Sequence, residues 1–212
     1  MKRTIVFLIL TGMLAGTGFA QQASGNVFNI NAGYMNPTDM QGGMFFGFMW
    51  GTAVDEAVDL GFGVDVFHKT YSETSQVATT EDEGLTSNTY ATEVDYSRTL
   101  VPLKFMINVK VPTSMYYGYF IRASLNYNLL FSKEQNYAQD KSQTNRFGGL
   151  GWQAAGGFYY QVGSRSTLIC DVFYNSGKAT RDVEKSNSDL PVTESVNLSG
   201  LGFRIGVNLH TK

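Results

Sequence analysis

The stretch Val58-Asp-Leu-Gly-Phe-Gly-Val-Asp-Val66 decides the fold, because its side chains alternate between two chemical types. Every second residue is large and apolar, and the residues between them are glycine or aspartate. A period of two is the pattern of a β-strand, whose successive side chains point to opposite faces. The polar face lacks the coat of Lys and Glu that a solvated sheet usually carries. The stretch therefore predicts a strand with a tight polar interior on one side and lipid on the other.

The same alternation recurs along the chain and defines eight segments. They are 26–36, 42–53, 58–72, 89–110, 115–131, 147–162, 167–176 and 194–210. Each segment has one apolar face and one face of Gly, Asn, Gln and isolated charges, and aromatic residues such as Trp50 and Tyr117 lie near the segment ends. An outward apolar band flanked by aromatic girdles is typical of transmembrane β-barrels.

The connections between segments alternate in length after a short first one at 36–41. Short turns are expected near 55–56, 112–114 and 163–166, and long polar loops at 73–88, 132–146 and 177–193. Short turns at one end and longer extracellular loops at the other are the barrel arrangement. The sequence therefore predicts an all-β protein, an eight-stranded antiparallel up-and-down transmembrane β-barrel. A secreted soluble β-sandwich is the alternative.

The first twenty residues have the parts of a secretory signal peptide. The basic residues Lys2 and Arg3 precede an apolar run at 4–14, and Gly18-Phe-Ala20 places small residues at a cleavage site. We therefore divide the chain into a cleaved signal peptide, residues 1–20, and a barrel, residues 21–212. Together the two parts predict a location in the outer membrane of a Gram-negative cell.

The composition of the 212 residues excludes several classes of protein. The balance of 16 Lys and Arg against 18 Asp and Glu excludes a strongly basic nucleic-acid binder. The single cysteine excludes an internal disulfide. Charged residues make up 16% of the chain, which is fewer than the ~25% of an ordinary soluble domain.

Five charged residues fall on the polar faces, away from the strand ends. They are Asp65, Lys104, Arg122, Asp171 and Arg204. An isolated buried charge costs several kcal/mol, roughly, so we expect these side chains to pair with one another inside the barrel. Eight strands enclose an interior just wide enough for side chains. The five residues therefore predict a charge network that fills the lumen.

Two other groups of residues could carry chemistry. His68 shares an outward face with Thr70, and Ser72 and Glu73 are close in sequence. A base, a hydroxyl and a nearby acid are the groups that a membrane enzyme acting on lipid would need. The acidic run 81–83 could bind a divalent cation. The favoured interpretation of His68 is a side chain at the level of the lipid headgroups. The favoured interpretation of the run 81–83 is a solvated loop. We therefore predict no catalytic residue, no cofactor and no metal site.

Two stretches resemble known barrel proteins. The last strand, Leu201-Gly-Phe-Arg-Ile-Gly-Val-Asn-Leu209, is similar to that of small OmpA/OmpX-type outer-membrane barrels. The stretch Tyr96-Ser-Arg-Thr-Leu-Val-Pro-Leu-Lys-Phe105 resembles the "hydrophobic-Pro-Leu-x-hydrophobic" strand of the outer membrane protein β-barrel family that includes PorT-like proteins. The resemblance implies an eight-stranded barrel that the barrel assembly machinery inserts.

These observations predict a small outer-membrane β-barrel with a structural or surface-interaction role, no large pore and no enzyme activity. A narrow porin-like pore or a small-ligand carrier is the alternative, and a lipid-modifying enzyme is a more distant one. The expected partners are outer-membrane lipid and lipopolysaccharide, the barrel assembly machinery, and an extracellular partner that contacts the loops. We expect a monomer and no nucleic acid.

Overall fold

A computed structural model describes residues 25–82, 85–136, 141–183 and 192–211, so the predicted signal peptide lies outside the described residues. The described residues form nine strands. These are β1 (Asn26–Pro37), β2 (Gly43–Ala53), β3 (Val58–Asp82), β4 (Leu85–Pro112), β5 (Tyr117–Asn136), β6 (Lys141–Gln161), β7 (Ser166–Val183), β8 (Val192–Asn197) and β9 (Gly200–Thr211). Within that part of the chain, no helix is long and apolar enough to cross a membrane.

The strands form one closed antiparallel sheet. Each strand from β1 to β7 pairs with the next, and β9 pairs with both β7 and β1. Strand β8 pairs with the C-terminal part of β7, at Lys178–Val183, and β9 pairs with its N-terminal part, at Ser166–Asn175. Thus β8 and β9 together make the eighth strand, interrupted at 198–199. The predicted eight-stranded antiparallel barrel is confirmed, and the alternative of a sandwich is wrong.

Alternation along each strand places the two faces as predicted. In β2, Phe46 exposes 66% of its surface on the outside, whereas the preceding Phe45 exposes 2% in the lumen. In β9, Phe203 and Ile205 are exposed on either side of the buried Arg204. A one-residue change of register would exchange the faces, so the apolar outer face fixes which side chains enter the lumen.

The two ends of the barrel differ in the length of their connections. One end, here called the short-turn end, carries the turns 54–57, 113–116 and 162–165 between β2 and β3, β4 and β5, and β6 and β7. These turns were expected from the sequence. The opposite end, here called the long-hairpin end, carries the other connections.

The prediction of long loops at 73–88, 132–146 and 177–193 is wrong in large part. Pairing continues to Asp82↔Leu85, to Asn136↔Lys141 and to Val183↔Val192, so these segments are extensions of the hairpins. Neighbouring antiparallel strands satisfy each other's backbone N–H and C=O groups by continuing the ladder of hydrogen bonds between them. A polar composition rich in Ser and Thr does not prevent this pairing. Register shifts at Glu73/Thr74 and Gln76/Ala78 accommodate the longest extension.

The lumen contains two layers of different chemistry. The charged layer consists of Asp65, Lys104, Arg122, Asp171 and Arg204, all buried. The apolar layer lies next to it on the side of the long-hairpin end. Its principal members are Phe45, Phe67, Leu100, Leu130 and Phe173, which belong to one buried cluster.

Candidate functional site

The five charged residues predicted for the lumen come from five different strands. Asp65 is on β3, Lys104 on β4, Arg122 on β5, Asp171 on β7 and Arg204 on β9. Each of them exposes 7% of its surface or less. The strands bring them together because each occupies an inward position at a similar height of a closed barrel.

One ion pair of the charged layer joins β3 and β4. Lys104 Nζ donates a hydrogen bond to the Asp65 carboxylate and a second one, of 3.3 Å, to Gln153 Oε1. Gly47 makes room for this pair, because a Cβ atom at that position would overlap the Asp65 carboxylate. The pair is therefore neutral as a unit, and its lysine has a further acceptor.

A second group joins Asp171 to two arginines. Arg204 Nε donates to both carboxylate oxygens of Asp171, at 3.1 and 3.0 Å, and Arg204 Nη2 donates to Oδ1 at 2.9 Å. Arg122 Nη1 lies 3.7 Å from Asp171 Oδ2, which is an ion-pair distance but too long for a hydrogen bond. Asp171 thus forms a forked pair with Arg204 and a weaker contact with Arg122.

Arg122 is the surplus base of the charged layer. The five residues contain two carboxylates and three cations, and the two carboxylates are hydrogen-bonded by Lys104 and Arg204. Arg122 Nε is buried without a hydrogen-bond partner, and its Cζ lies 5.1 Å from the centre of the Phe120 ring. One buried guanidinium is therefore incompletely paired.

A third ion pair, not predicted from the sequence, lies nearer the short-turn end. Lys110 Nζ lies 2.8 Å from Asp59 Oδ1, and Asn108 Nδ2 donates to Asp59 Oδ2 at 3.1 Å. Alternation in the sequence could have indicated this pair, because Asp59 and Asp65 are separated by an even number of residues and therefore share the inward face of β3. Lys110 follows Lys104 on β4 in the same way.

A cavity of about 360 Å³ opens beside this pair, at the short-turn end. Side chains from β4, β5, β6, β7 and β9 and the turn between β6 and β7 line it. Lys110, Arg122 and Arg165 are its cationic lining residues. No Asp or Glu of the described part of the chain lines this cavity.

Amides complete the polar side of the lumen. Asn31 Nδ2 donates to Asn29 Oδ1 at 2.6 Å, and Asn29 Nδ2 donates to Asn208 Oδ1 at 2.7 Å. Across the barrel, Asn126 Nδ2 donates to Asn175 Oδ1 at 3.1 Å, and Asn175 Nδ2 donates to a backbone carbonyl. These bonds satisfy part of the buried amides, while Asn31 Oδ1 and both side-chain polar atoms of Asn128 are buried without a hydrogen-bond partner.

The apolar layer was not predicted from the sequence either. The rings of Phe45 and Phe173 meet edge to face with centroids 5.7 Å apart, and Phe67, Leu100 and Leu130 are fully buried beside them. The pocket between this layer and the charged layer, lined by Phe67, Leu100 and Lys104 among others, has a volume of about 10 Å³. That volume is at the lower limit for a single water molecule.

His68 is exposed on the outside of β3, and its two ring nitrogens contact threonines. Nδ1 lies 2.9 Å from Thr99 Oγ1, and Nε2 lies 3.3 Å from Thr70 Oγ1. The side chain of Glu73 and the acidic run 81–83 lie outside the described side chains. Among the side chains that the structure describes, no group of three His, Cys, Asp or Glu could hold a metal ion.

Several outer-membrane proteins have solved structures with the same architecture. The chain is similar to Neisserial surface protein A (NspA), with a TM-score of 0.52 and 11% identity over 89% of this chain and 97% of that one. It is similar to a major outer membrane protein from Thermus thermophilus, with a TM-score of 0.54 and 15% identity over 87% and 99% of the two chains. The fold is that of small outer-membrane β-barrels.

A third structure of the same fold is the outer membrane protein OprG from Pseudomonas aeruginosa, with a TM-score of 0.54 and 11% identity over 88% of this chain and 96% of that one. The resemblance to OmpA/OmpX-type barrels is thus confirmed for the fold. No protein-family model matches the chain, and no curated protein matches its sequence. The narrower resemblance to PorT-like proteins stays a prediction.

Proposed function

We propose that this protein is a structural or surface-interaction barrel of the outer membrane whose side chains close the lumen to solutes. The observation that carries the proposal is the contact between the two lumen layers, where the pocket lined by side chains of both layers has a volume of only about 10 Å³. A hydrated ion needs a continuous wet path, and the apolar layer offers neither polar partners nor volume for one.

The outer surface supports a location in the lipid of the outer membrane. Apolar side chains such as Phe62, Ile121, Leu150 and Ile205 are exposed on different strands around the barrel. A continuous apolar belt of this kind marks a membrane-facing surface in a protein that closes its backbone hydrogen bonds within the sheet. Lipid, including lipopolysaccharide, is the first partner in this proposal, and the barrel assembly machinery is the second.

The extended hairpins support a role outside the lumen. β3 and β4 remain paired as far as Asp82 and Leu85, well beyond the end of the β1–β2 hairpin. In this proposal the long-hairpin end is extracellular and meets a partner at the cell surface, while the barrel is a monomer without enzyme activity. Among the described side chains, His68 contacts two threonine hydroxyls and no carboxylate that would orient its ring as a general base.

Planar-bilayer conductance tests the proposal. The protein is refolded, and a heat-dependent shift on an unboiled gel first establishes that the barrel has formed. We expect no single-channel steps in 1 M KCl. Steps of constant size in the wild-type protein would favour the narrow pore instead. Time-dependent cleavage of added lipopolysaccharide that His68→Ala abolishes would favour a lipid-modifying enzyme.

A further inference from the structure

The cavity at the short-turn end differs from the rest of the lumen in its charge. Of its three cationic lining residues, Lys110 is paired with Asp59, while Arg122 has only a long contact with a carboxylate already bound by Arg204. Arg165 lies in the exposed turn at the cavity mouth. The cavity therefore has an excess of positive charge that the described carboxylates do not balance.

Arg122 is the member of this cationic set that is buried and incompletely hydrogen-bonded. Its side chain exposes 2% of its surface, and its Nε atom has no hydrogen-bond partner although arginine presents five donors. A buried cation without a full set of partners is unfavourable, and its usual remedy is an anion with hydrogen-bond acceptors. The cavity is the open space from which such an anion could reach the guanidinium.

We propose that this cavity binds a small oxyanion, a carboxylate or phosphate group on a small molecule, with Arg122 at its base and Arg165 at its mouth. Guanidinium groups bind both kinds of oxyanion through paired N–H donors. Asn208 and Thr167 line the same cavity and supply neutral polar groups for the rest of the ligand. A volume of about 360 Å³ is within the range of small-molecule sites.

The site goes beyond the proposed role of the barrel and does not depend on it. The apolar layer and the Asp65–Lys104 pair lie farther from the short-turn end than the cavity, so an anion would bind in a closed pocket and would not pass through. Conductance tests the closed lumen, and anion binding is measured on its own. Each proposal can therefore fail while the other stands.

Isothermal titration calorimetry of the refolded protein in a non-ionic detergent tests the site, with inorganic phosphate and acetate as separate probes. The buffer contains 150 mM NaCl, at which the Debye length is about 8 Å, so that a diffuse attraction of anions is screened. We expect saturable binding of at least one probe. We expect Arg122→Gln to weaken it by about tenfold, the loss of one charge-assisted contact.

The matched control is Arg146→Gln, which removes the same charge from an exposed position toward the long-hairpin end. It should leave binding unchanged. Arg165→Gln is a second variant, chosen because an exposed turn tolerates substitution, and it should weaken binding by a smaller factor than Arg122→Gln. The heat-dependent gel shift establishes folding for each variant. Absence of saturable binding of both probes to the wild type, or equal affinity in all folded variants, would overturn the proposal.

Discussion

The two layers of the lumen occupy equivalent inward positions and are held together by different physics. Asp65 and Phe67 are two residues apart on β3, and Asp171 and Phe173 are two residues apart on β7. The charged layer is stable only if each charge has a partner, whereas the apolar layer is stable if its side chains fill space. An inward position on a barrel strand therefore does not determine which chemistry fills it.

Substitutions in the two layers should destabilise the barrel in two different ways. Removal of one partner from a buried ion pair leaves a charge that water cannot reach, so the loss exceeds what the pair contributed. Removal of part of an apolar side chain costs its transfer free energy and leaves a cavity. Variants of the two layers should thus differ in how their effects depend on what is left behind.

The largest effect is expected for Asp171→Asn. The substitution is nearly isosteric, but it leaves Arg204 and Arg122 without their carboxylate, and we expect a loss of about 3–5 kcal/mol in the free energy of unfolding. Urea unfolding of the refolded protein, followed by tryptophan fluorescence, measures it. Asp182→Asn removes an exposed carboxylate toward the long-hairpin end and should change the same quantity by less than about 0.5 kcal/mol. Equal losses in the two variants would contradict a paired charged layer.

A smaller effect is expected from Leu130→Ala in the apolar layer. Leu130 exposes 1% of its surface, so its truncation should leave a cavity and cost about 2–4 kcal/mol. The neighbouring Leu129→Ala is the control, because Leu129 faces outward and lipid can fill the space left there. It should cost about 1 kcal/mol, part of the transfer term alone. A larger loss for Leu129→Ala would mean that the outer face is packed like a core.

The third prediction concerns a triple variant whose free energy of unfolding should be close to that of the wild type. A triple variant, Arg122→Met with Asp171→Leu and Arg204→Met, replaces the arginine–aspartate group by apolar side chains of similar size. The remaining pair of Asp65 and Lys104 is neutral. We expect a free energy of unfolding within about 1 kcal/mol of the wild type, or higher, because hydrophobic replacement of a buried ionic group is often neutral or stabilising. A loss as large as that of Asp171→Asn alone would show that the group contributes more than mutual neutralisation.

Much of this organisation follows from the period of two in the sequence. The faces of all eight segments, the short turns and the five charged lumen residues are where alternation places them, because one apolar face fixes the register of a whole strand. The same alternation, continued by two residues, would also have placed Phe67 and Phe173 in the lumen. The inward faces were predicted to be polar because glycines and charges dominate most of their length.

Two features could not be obtained from alternation. Which charges pair depends on the shear of the barrel, which brings Arg204 to Asp171 and leaves Arg122 at a longer distance. The extended hairpins were missed because composition alone does not distinguish a polar strand pair from a polar loop. Backbone pairing between neighbours decides that question, and it leaves no apolar pattern in the sequence.

Among single substitutions at ion pairs, the smallest effect is expected for a pair on the inward face of the sheet, at the rim of the long-hairpin end. Arg181 Nε donates to Glu194 Oε2 at 2.7 Å, a distance as short as those in the charged layer, but the two side chains expose 21% and 48% of their surface. Water solvates both charges when the pair is broken, so Glu194→Gln should cost only about 0.2–1 kcal/mol. The substitution keeps the contact of Arg181 with the Phe147 ring. Because exposed charges are screened, the difference between wild type and variant should disappear at about 1 M salt, where the Debye length is about 3 Å. The loss caused by Asp171→Asn should persist at that salt concentration, since ions do not enter the charged layer. If both losses vanished with salt, the charged layer would be wet, and burial could not explain the difference between the two ion pairs.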